Sequence, residues 1–385
     1  MKYNFDKIIC KHNIESVKWS YGEEILPMGI ADMDFETLPE IKEAIIERLS
    51  RDIYGYSNLQ DDYKPTLIEW YEKLHDWKIE EDWLCISPGV SPAIGITIRA
   101  LTNPGDKVIL QTPVYPPFFG EINHNGCGIV NNPLLLDDSG YHMDYEDLEK
   151  KASDVRVKLL LLCNPHNPVG RVWTRDELTK LGEICLRYNV IVIADEIHGD
   201  LVFKGNKYIP FASISEDFAK NSITCTAPTK TFNLAGFQVS NIIIPNRKLR
   251  AEYEIGRHNI GISRLNVFAS SVCTAAYRHG QPWLEELMTY LEDNKNYALN
   301  YIKKYLPQIS VIEPDGTYML WMDFRSLGLR DEELHNLIFH QAKIVLNEGH
   351  TFGQGGEGFQ RMNIACPRSI IQEALERLCN VIKKI

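Results

Sequence analysis

The chain has 385 residues, with 44% apolar and 24% charged side chains, which are ordinary values for a globular protein large enough for two domains. A formal net charge of -11 argues against a protein that binds the phosphate backbone of nucleic acids. No apolar run approaches the roughly 20 residues of a membrane-spanning helix, and the first residues lack the apolar stretch of a signal peptide.

The nine cysteines are scattered along the chain, with no CxxC pair and no histidine at the spacing of a zinc site. An odd number of isolated thiols is typical of a reducing compartment. We therefore predict a cytoplasmic protein without a metal site, and we expect neither nucleic acid nor membrane as a partner.

The first half of the chain predicts alternating helices and strands. Apolar periodicity indicates helices over residues 39–51 and 63–74, followed by a short strand, a Pro-Gly turn and a helix between residues 84 and 96. Further elements are strands at 107–110, 158–163 and 190–194, and a helix at 174–188 with a capping box. Strands so continuously apolar are buried on both faces, which predicts an α/β fold with a mostly parallel sheet covered by helices.

The pattern changes in the second half. A helical segment is predicted from about residue 264 to 305, with a domain boundary near Gly280. Strands at 318–324, 344–346 and 359–365 and helices at 330–342 and 370–382 then predict a smaller, mixed α/β unit. We predict an N-terminal segment that packs with the small domain (1–44), a large domain (45–280) and a small C-terminal domain (281–385).

Lys230 follows an apolar, strand-forming run and is the only ionisable side chain between residues 227 and 239. A lysine held away from water and other charges is easily deprotonated, so it can act as a base or form an imine. The alternative is a surface lysine beside a strand end, and the lysine alone would favour that interpretation.

Three other features are predicted at the same edge of the sheet, where ligands of α/β proteins bind. Asp195 follows a buried strand and needs a cationic partner. The turn at 87–91 opens a helix whose free N–H groups suit a phosphate, and Tyr115 lies on a proline-rich loop where it would stack on a flat ring. Pyridoxal phosphate has the phosphate, the aromatic ring, the basic nitrogen and the aldehyde that would use these features together with Lys230.

Four motifs occur in order along nearly the whole chain: NPHNPVG at 164–170, ADEIH at 194–198, PTKTFN at 228–233 and RMNIA at 361–365. They resemble the fold-type-I pyridoxal-phosphate enzymes of the class I/II aminotransferase group. Within that group ADMDF at 31–35, DEIH at 195–198 and FQ at 237–238 are similar to the MalY/PatB-type cystathionine β-lyases.

The resemblance implies a role for each matching residue around the cofactor ring. Lys230 would bind the cofactor aldehyde and then move the substrate α-proton, while Asp195 would pair with the ring nitrogen. Asn167 would hydrogen-bond the ring hydroxyl oxygen beside His198, and Tyr115 would stack on the ring. The alternatives are a turn residue for Asn167, loop packing for Tyr115 and a core or capping histidine for His198.

The resemblance also implies residues for the phosphate and the substrate. Val90 and Ser91 would donate backbone N–H groups to the phosphate, and Tyr56 would reach the phosphate of a neighbouring subunit, which implies a homodimer with its active sites at the interface. Arg361 would bind the substrate carboxylate. Apart from the resemblance, we expect Asp34 to bind the distal part of the substrate, in a pocket formed by loops that include Asp32 and the Gly-rich loop at 353–358. Interface packing for Tyr56 and a strand-edge salt bridge for Arg361 are the alternatives.

Two departures from ordinary aminotransferases favour the lyase subgroup: His198 stands where they commonly have a tyrosine, and Gln238 stands where many have an arginine.

Our first hypothesis is a carbon–sulfur β-lyase that converts cystathionine or related cysteine S-conjugates to a thiol, pyruvate and ammonia. The second is an aminotransferase on the same scaffold. The third, which also comes from the resemblance, is a regulatory protein that binds a transcription factor.

Overall fold

The computed structural model describes residues 2–9 and 15–385. Its strands are β1 (Leu26–Pro27), β2 (Leu84–Ser87), β3 (Lys107–Leu110), β4 (Gly128–Asn131), β5 (Leu135–Asp137), β6 (Gly140–His142), β7 (Val157–Cys163), β8 (Ile191–Asp195), β9 (Ser222–Thr226), β10 (Ser240–Ile243), β11 (Ser310–Ile312), β12 (Met319–Asp323), β13 (Ile344–Val345), β14 (Asn347–Glu348) and β15 (Phe359–Asn363). Its α-helices are α1 (Pro39–Leu49), α2 (Tyr63–His75), α3 (Val90–Leu101), α4 (Pro117–His124), α5 (Tyr145–Ala152), α6 (Arg175–Arg187), α7 (Glu216–Lys220), α8 (Pro228–Thr231), α9 (Arg247–Asn259), α10 (Ala269–His279), α11 (Gln281–Tyr305), α12 (Asp331–His335) and α13 (Arg368–Ile382).

The largest sheet has seven strands in the order β2-β10-β9-β8-β7-β3-β4. Strands β4, β3, β7, β8 and β9 pair in parallel, whereas β10 is antiparallel to both of its neighbours. Side chains alternate across this sheet: Leu159 and Leu161 pack in one core with α3 and α9, and Leu160 and Leu162 pack in another with α5 and α6. The prediction of a mostly parallel sheet covered by helices is therefore confirmed.

Helix α6 begins as its sequence predicts. Thr174 is the N-cap residue, its hydroxyl accepts from the backbone N–H of Glu177, and the Glu177 carboxylate accepts from the backbone N–H of Thr174. This reciprocal pair satisfies two N–H groups that the helix itself leaves without partners. The predicted capping box is confirmed.

The prediction of one continuous helical segment from residue 264 to 305 is wrong. Residues 264–268 are not helical, and α10 and α11 are separated at Gly280. A Cβ atom at Gly280 would lie 2.3 Å from the ring of Phe232, so close packing demands glycine there, and Pro282 opens the first turn of α11. The helix predicted at 330–342 is also divided, because α12 ends at His335 and residues 336–341 continue as a wider π-helical turn.

The N-terminal residues contact the C-terminal part of the chain. Strand β1 pairs in parallel with β13, and the ring of Phe5 lies 5.7 Å from that of Trp283. A second, antiparallel sheet has the order β11-β12-β15-β14. The boundaries at 44 and 280 stay a prediction. In the described part of the chain, no helix combines the length and the apolar character that a bilayer crossing requires.

Candidate active site

Lys230 lies on the short helix α8, just beyond the carboxyl end of β9. Its Nζ donates a hydrogen bond to the carbonyl oxygen of Ala31 at 3.0 Å. Burial lowers the pKa of Lys230, while Asp32 acts in the opposite direction. The side chain thus lies in a largely desolvated environment, which favours the interpretation as a base over that of a surface lysine.

A buried cluster fixes the helix that carries this lysine. The hydroxyl of Thr231 donates to Asp200 Oδ2 at 2.8 Å. The other carboxylate oxygen of Asp200 accepts from Trp70 Nε1 at 3.1 Å and lies 2.8 Å from Nε2 of His75. The backbone beside Lys230 is therefore held by partners far away in the sequence.

Asp195 is the last residue of β8 and its side chain is buried. The backbone N–H of Ile197 donates to its Oδ1 at 3.2 Å, but within residues 2–9 and 15–385 no cation forms an ion pair with this carboxyl group. Burial raises the pKa of Asp195 to about 7, against the smaller effects of the Ile197 hydrogen bond and Lys230. A cation placed against Asp195 would restore the ionised form.

Arg361 lies on β15 and is held by neutral acceptors. Its Nη1 donates to Asn167 Oδ1 at 2.8 Å, and its Nη2 donates to the carbonyl oxygen of Gly29 and to Asn347 Oδ1. Burial lowers the pKa of Arg361 to about 10, so it stays charged at neutral pH. Among the described residues no carboxylate pairs with it and its Nε has no acceptor, so its charge is available to an anionic ligand.

Two predicted ring contacts, Asn167 and His198, are buried in the same region. The amide oxygen of Asn167 is occupied by Arg361, an interaction that was not predicted. Burial, followed by the charges of Lys230 and Arg361, lowers the pKa of His198 to about 3, so its imidazole is neutral. No residue that the structure describes hydrogen-bonds its Nδ1. A buried polar atom without a partner is typical of a site that a ligand completes.

The start of α3 offers free backbone donors. The N–H of Ala93 is bonded to the carbonyl oxygen of Gly89, and Pro92 has no N–H. Among the described residues, the first-turn donors that remain without a partner are the N–H groups of Val90 and Ser91. On a neighbouring loop, Tyr115 is half-buried, and burial together with nearby Asp195 raises its pKa.

Residues 23–378 match the family model of aminotransferase class I and II. The chain belongs to this family. It is 45% identical to cystathionine beta-lyase PatB of Bacillus subtilis, over 97% of this chain and 98% of the relative. Two solved structures are similar: cystalysin from Treponema denticola, which contains pyridoxal 5'-phosphate (TM-score 0.97, 38% identity, 100% of both chains), and a PLP-bound C-S lyase from Staphylococcus hominis (TM-score 0.93, 32% identity, 99% of both chains).

Two further predicted site residues, Tyr56 and Asp34, contact residues other than Lys230 in the described part of the chain. Tyr56 is 98% exposed, with the guanidinium of Arg264 5.8 Å from its ring centre. Asp34 forms a buried ion pair with Lys18 at 3.0 Å and accepts from Trp19 Nε1 at 3.2 Å. A substrate contact for Asp34 stays a prediction, and the ion pair gives this carboxylate a structural role.

From the sequence, no role is predicted for two other residues around the site, Asn363 and Tyr318. Asn363 Nδ2 donates to the carbonyl oxygens of Ile30 and Asp32, and the hydroxyl of Tyr318 donates to that of Ala31. These side chains hold the N-terminal segment over Lys230. Asn363 belongs to the RMNIA motif, whereas no local signal in the sequence indicates Tyr318.

Proposed function

We propose that this protein is a PLP-dependent carbon–sulfur β-lyase that cleaves cystathionine or related cysteine S-conjugates to a thiol, pyruvate and ammonia. The observation that carries the proposal is 45% identity over 97% of the chain with a relative named cystathionine beta-lyase. The juxtaposition of Lys230, Asp195 and Arg361 agrees with this reaction class.

The chain's residues fit pyridoxal phosphate. Asp195 lacks a cation in the described structure, and a protonated ring nitrogen would supply one. Within residues 2–9 and 15–385, Nδ1 of His198 has no hydrogen-bond partner, and a ring hydroxyl would supply one. The N–H groups of Val90 and Ser91 lie at a helix N-terminus and are not bonded by any residue that the structure describes, which suits a phosphate.

When bound, pyridoxal phosphate supplies an aldehyde for the substrate amine and a ring that withdraws electrons from the α-carbon. Asp195 would hold the proton on the ring nitrogen. Arg361 would bind the α-carboxylate through its charged fork. Tyr115 would cover one face of the ring and exclude water from it.

Lys230 carries the protons in this proposal. Its neutral amine takes the α-proton of the substrate, and the resulting ammonium gives a proton to the sulfur as the Cβ–S bond breaks. The thiol leaves, and the remaining three-carbon fragment takes up water to yield pyruvate and ammonia. The lowered pKa of Lys230 increases the fraction of the neutral amine that this cycle needs.

The experiment is a panel of S-substituted cysteines assayed for pyruvate and thiol, with alanine as the matched amino acid without a β-leaving group. We expect equal amounts of pyruvate and thiol from cystathionine and none from alanine. No pyruvate from any conjugate, together with amino-group transfer to a keto acid, would contradict the proposal.

An aminotransferase is the second candidate, because the matched family is named for that activity. It shares proton removal by Lys230 and carboxylate binding by Arg361. A lasting conversion of the bound cofactor to its amine form by an amino acid, reversed by a keto acid, would favour it.

We predict that replacing Arg361 with lysine raises KM for a cysteine S-conjugate roughly 10- to 100-fold, because a charged hydrogen bond contributes about 1.5–3 kcal/mol. Steady-state kinetics measure the effect. The matched control is a conjugate without the α-carboxylate, for which wild type and variant should have similar KM. Unchanged KM for the carboxylate substrate would exclude Arg361 as its binding residue.

The proposed enzyme is a homodimer in which Tyr56 completes the partner's phosphate site. Tyr56, Ile53 and Tyr54 are exposed on one loop by 98%, 74% and 49%. Exposed aromatic and aliphatic side chains grouped in this way are typical of an interface.

Co-expression of Tyr56→Phe and Lys230→Ala chains tests this arrangement. Each variant alone should have little activity, but a mixed dimer has one site with Lys230 from one chain and Tyr56 from the other. Random pairing should therefore give about a quarter of wild-type activity per chain. Activity no higher than the sum of the separate variants would mean that Tyr56 does not act across the interface.

A transcription-factor partner and a cytoplasmic location stay predictions. A Lys230→Ala chain should lose lyase activity and could keep such binding, so a pull-down of the candidate factor with this variant separates the two roles.

A further inference from the structure

The carbonyl group of Ala31 has a fixed direction. Asn363 holds the carbonyl oxygens on either side of it, donating to Ile30 at 2.7 Å and to Asp32 at 2.8 Å. Lys18 Nζ also donates to the Asp32 oxygen, at 2.9 Å. The peptide group of Ala31 is therefore held in place through its neighbours Ile30 and Asp32. Its position does not depend on the donors that bind the Ala31 oxygen itself.

Two donors share the Ala31 oxygen. The hydroxyl of Tyr318 donates to it at 2.9 Å, and Lys230 Nζ donates at 3.0 Å. Tyr318 is fully buried, with the His198 ring edge-on at 5.9 Å. Burial raises the pKa of Tyr318 well above its ordinary value, so the hydroxyl keeps its proton and acts as a donor.

Each donor weakens the acceptor that the other uses, because both draw on the electron density of one oxygen. The hydrogen bond from a lysine ammonium is charge-assisted and so depends more on acceptor strength than that of a neutral amine. The charged groups around Lys230 also act on it: Asp32 and Asp195 favour the ammonium and Arg361 opposes it, while His198 is neutral. Tyr318 is the neutral neighbour that reaches the lysine through a shared oxygen.

We propose that Tyr318 is a positioning residue: by sharing the Ala31 carbonyl oxygen with Lys230, its hydroxyl limits how strongly that oxygen holds the lysine ammonium, and so keeps more of the amine neutral. The importance of this neutral amine for catalysis rests on the proposed function, in which Lys230 is the base. The shared hydrogen bonds to Ala31 and their effect on the protonation of Lys230 do not depend on carbon–sulfur cleavage.

The first experiment compares wild type with Tyr318→Phe. In the holoenzyme, the rate of α-hydrogen exchange of L-alanine in D2O is followed by NMR across pH, since this exchange needs the base and no leaving group. In the full chain stripped of cofactor, competitive acetylation read by mass spectrometry titrates Lys230 itself. The Ala31 peptide is anchored by other hydrogen bonds, so it should stay in place in Tyr318→Phe. We therefore expect the midpoint of the exchange pH profile and that of the Lys230 titration both to rise by about half to one pH unit.

Tyr141→Phe is the matched control, since the Tyr141 hydroxyl is also buried and accepts from Trp321 Nε1 at 3.1 Å. It should leave the Lys230 midpoint unchanged. An unchanged or lowered midpoint in Tyr318→Phe would overturn the inference, whether or not the protein cleaves S-conjugates. Absent pyruvate with a raised midpoint would instead contradict only the lyase assignment.

A second variant provides an independent test in case Tyr318→Phe does not fold. Incorporation of 3-fluorotyrosine at position 318 keeps the shape of the ring and makes the hydroxyl a stronger donor. The Lys230 midpoint should then fall, opposite to the change in Tyr318→Phe. A rise or no change with 3-fluorotyrosine would refute the shared-acceptor account.

Discussion

Replacing Lys230 with alanine is expected to lower pyruvate formation from a cysteine S-conjugate by about a thousand-fold or more. The variant loses the group that takes the α-proton, a role that contributes roughly 10²–10⁴-fold on its own, as well as the amine that would bind the cofactor aldehyde. Single-turnover kinetics at saturating substrate measure the loss.

Lys204→Ala is the matched control, because Lys204 is exposed and should tolerate the change. Added methylamine should restore part of the activity of Lys230→Ala by supplying a base in solution, with a rate that follows the neutral amine concentration. If Lys230→Ala keeps activity within tenfold of wild type, Lys230 is not the base.

Much of the frame around this lysine could be predicted from the sequence because the signals are local. Continuous apolar runs indicate strands buried on both faces, and the carboxyl ends of parallel strands meet at one edge. Asp195 ends one such strand and Lys230 follows another, so their approach is a consequence of topology. The capping box of α6 is also a local signal, with Thr174 and Glu177 three residues apart.

The contacts that complete the site are not local and could not be predicted in this way. Ala31 meets Lys230 across 199 residues, and Asn167 meets Arg361 across 194. Such pairs depend on how the N-terminal segment and the second sheet pack against the large sheet, which residue spacing does not encode. The division of the helical segment at Gly280 has a similar cause, since the ring that excludes a Cβ atom belongs to Phe232.

Asp195→Asn should have the second largest effect on activity. At an effective dielectric of ~20 and ~4 Å, the pair of carboxylate and protonated ring nitrogen is worth about 4 kcal/mol, so a neutral amide should lower kcat about a thousand-fold. Glu196→Gln is the matched control, because Glu196 is also buried but its carboxylate accepts from the Tyr208 hydroxyl and the Phe211 N–H. A loss under tenfold in Asp195→Asn would mean that no cation pairs with Asp195 in the reaction.

The same substitution should stabilise the chain when the cofactor is removed. Burial raises the pKa of Asp195 from 3.8 to about 7, so between these values the folded state keeps a proton that the unfolded state has released. The contribution of this group to stability therefore falls as pH rises from about 4 to 7, by up to about 4 kcal/mol. Urea unfolding should show that cofactor-free Asp195→Asn exceeds the wild type in stability by more at pH 8 than at pH 5. A smaller difference at pH 8 would contradict this. The opposite effects on activity and stability arise because Asp195 is buried and, among the described residues, forms no ion pair until the cofactor supplies a cation.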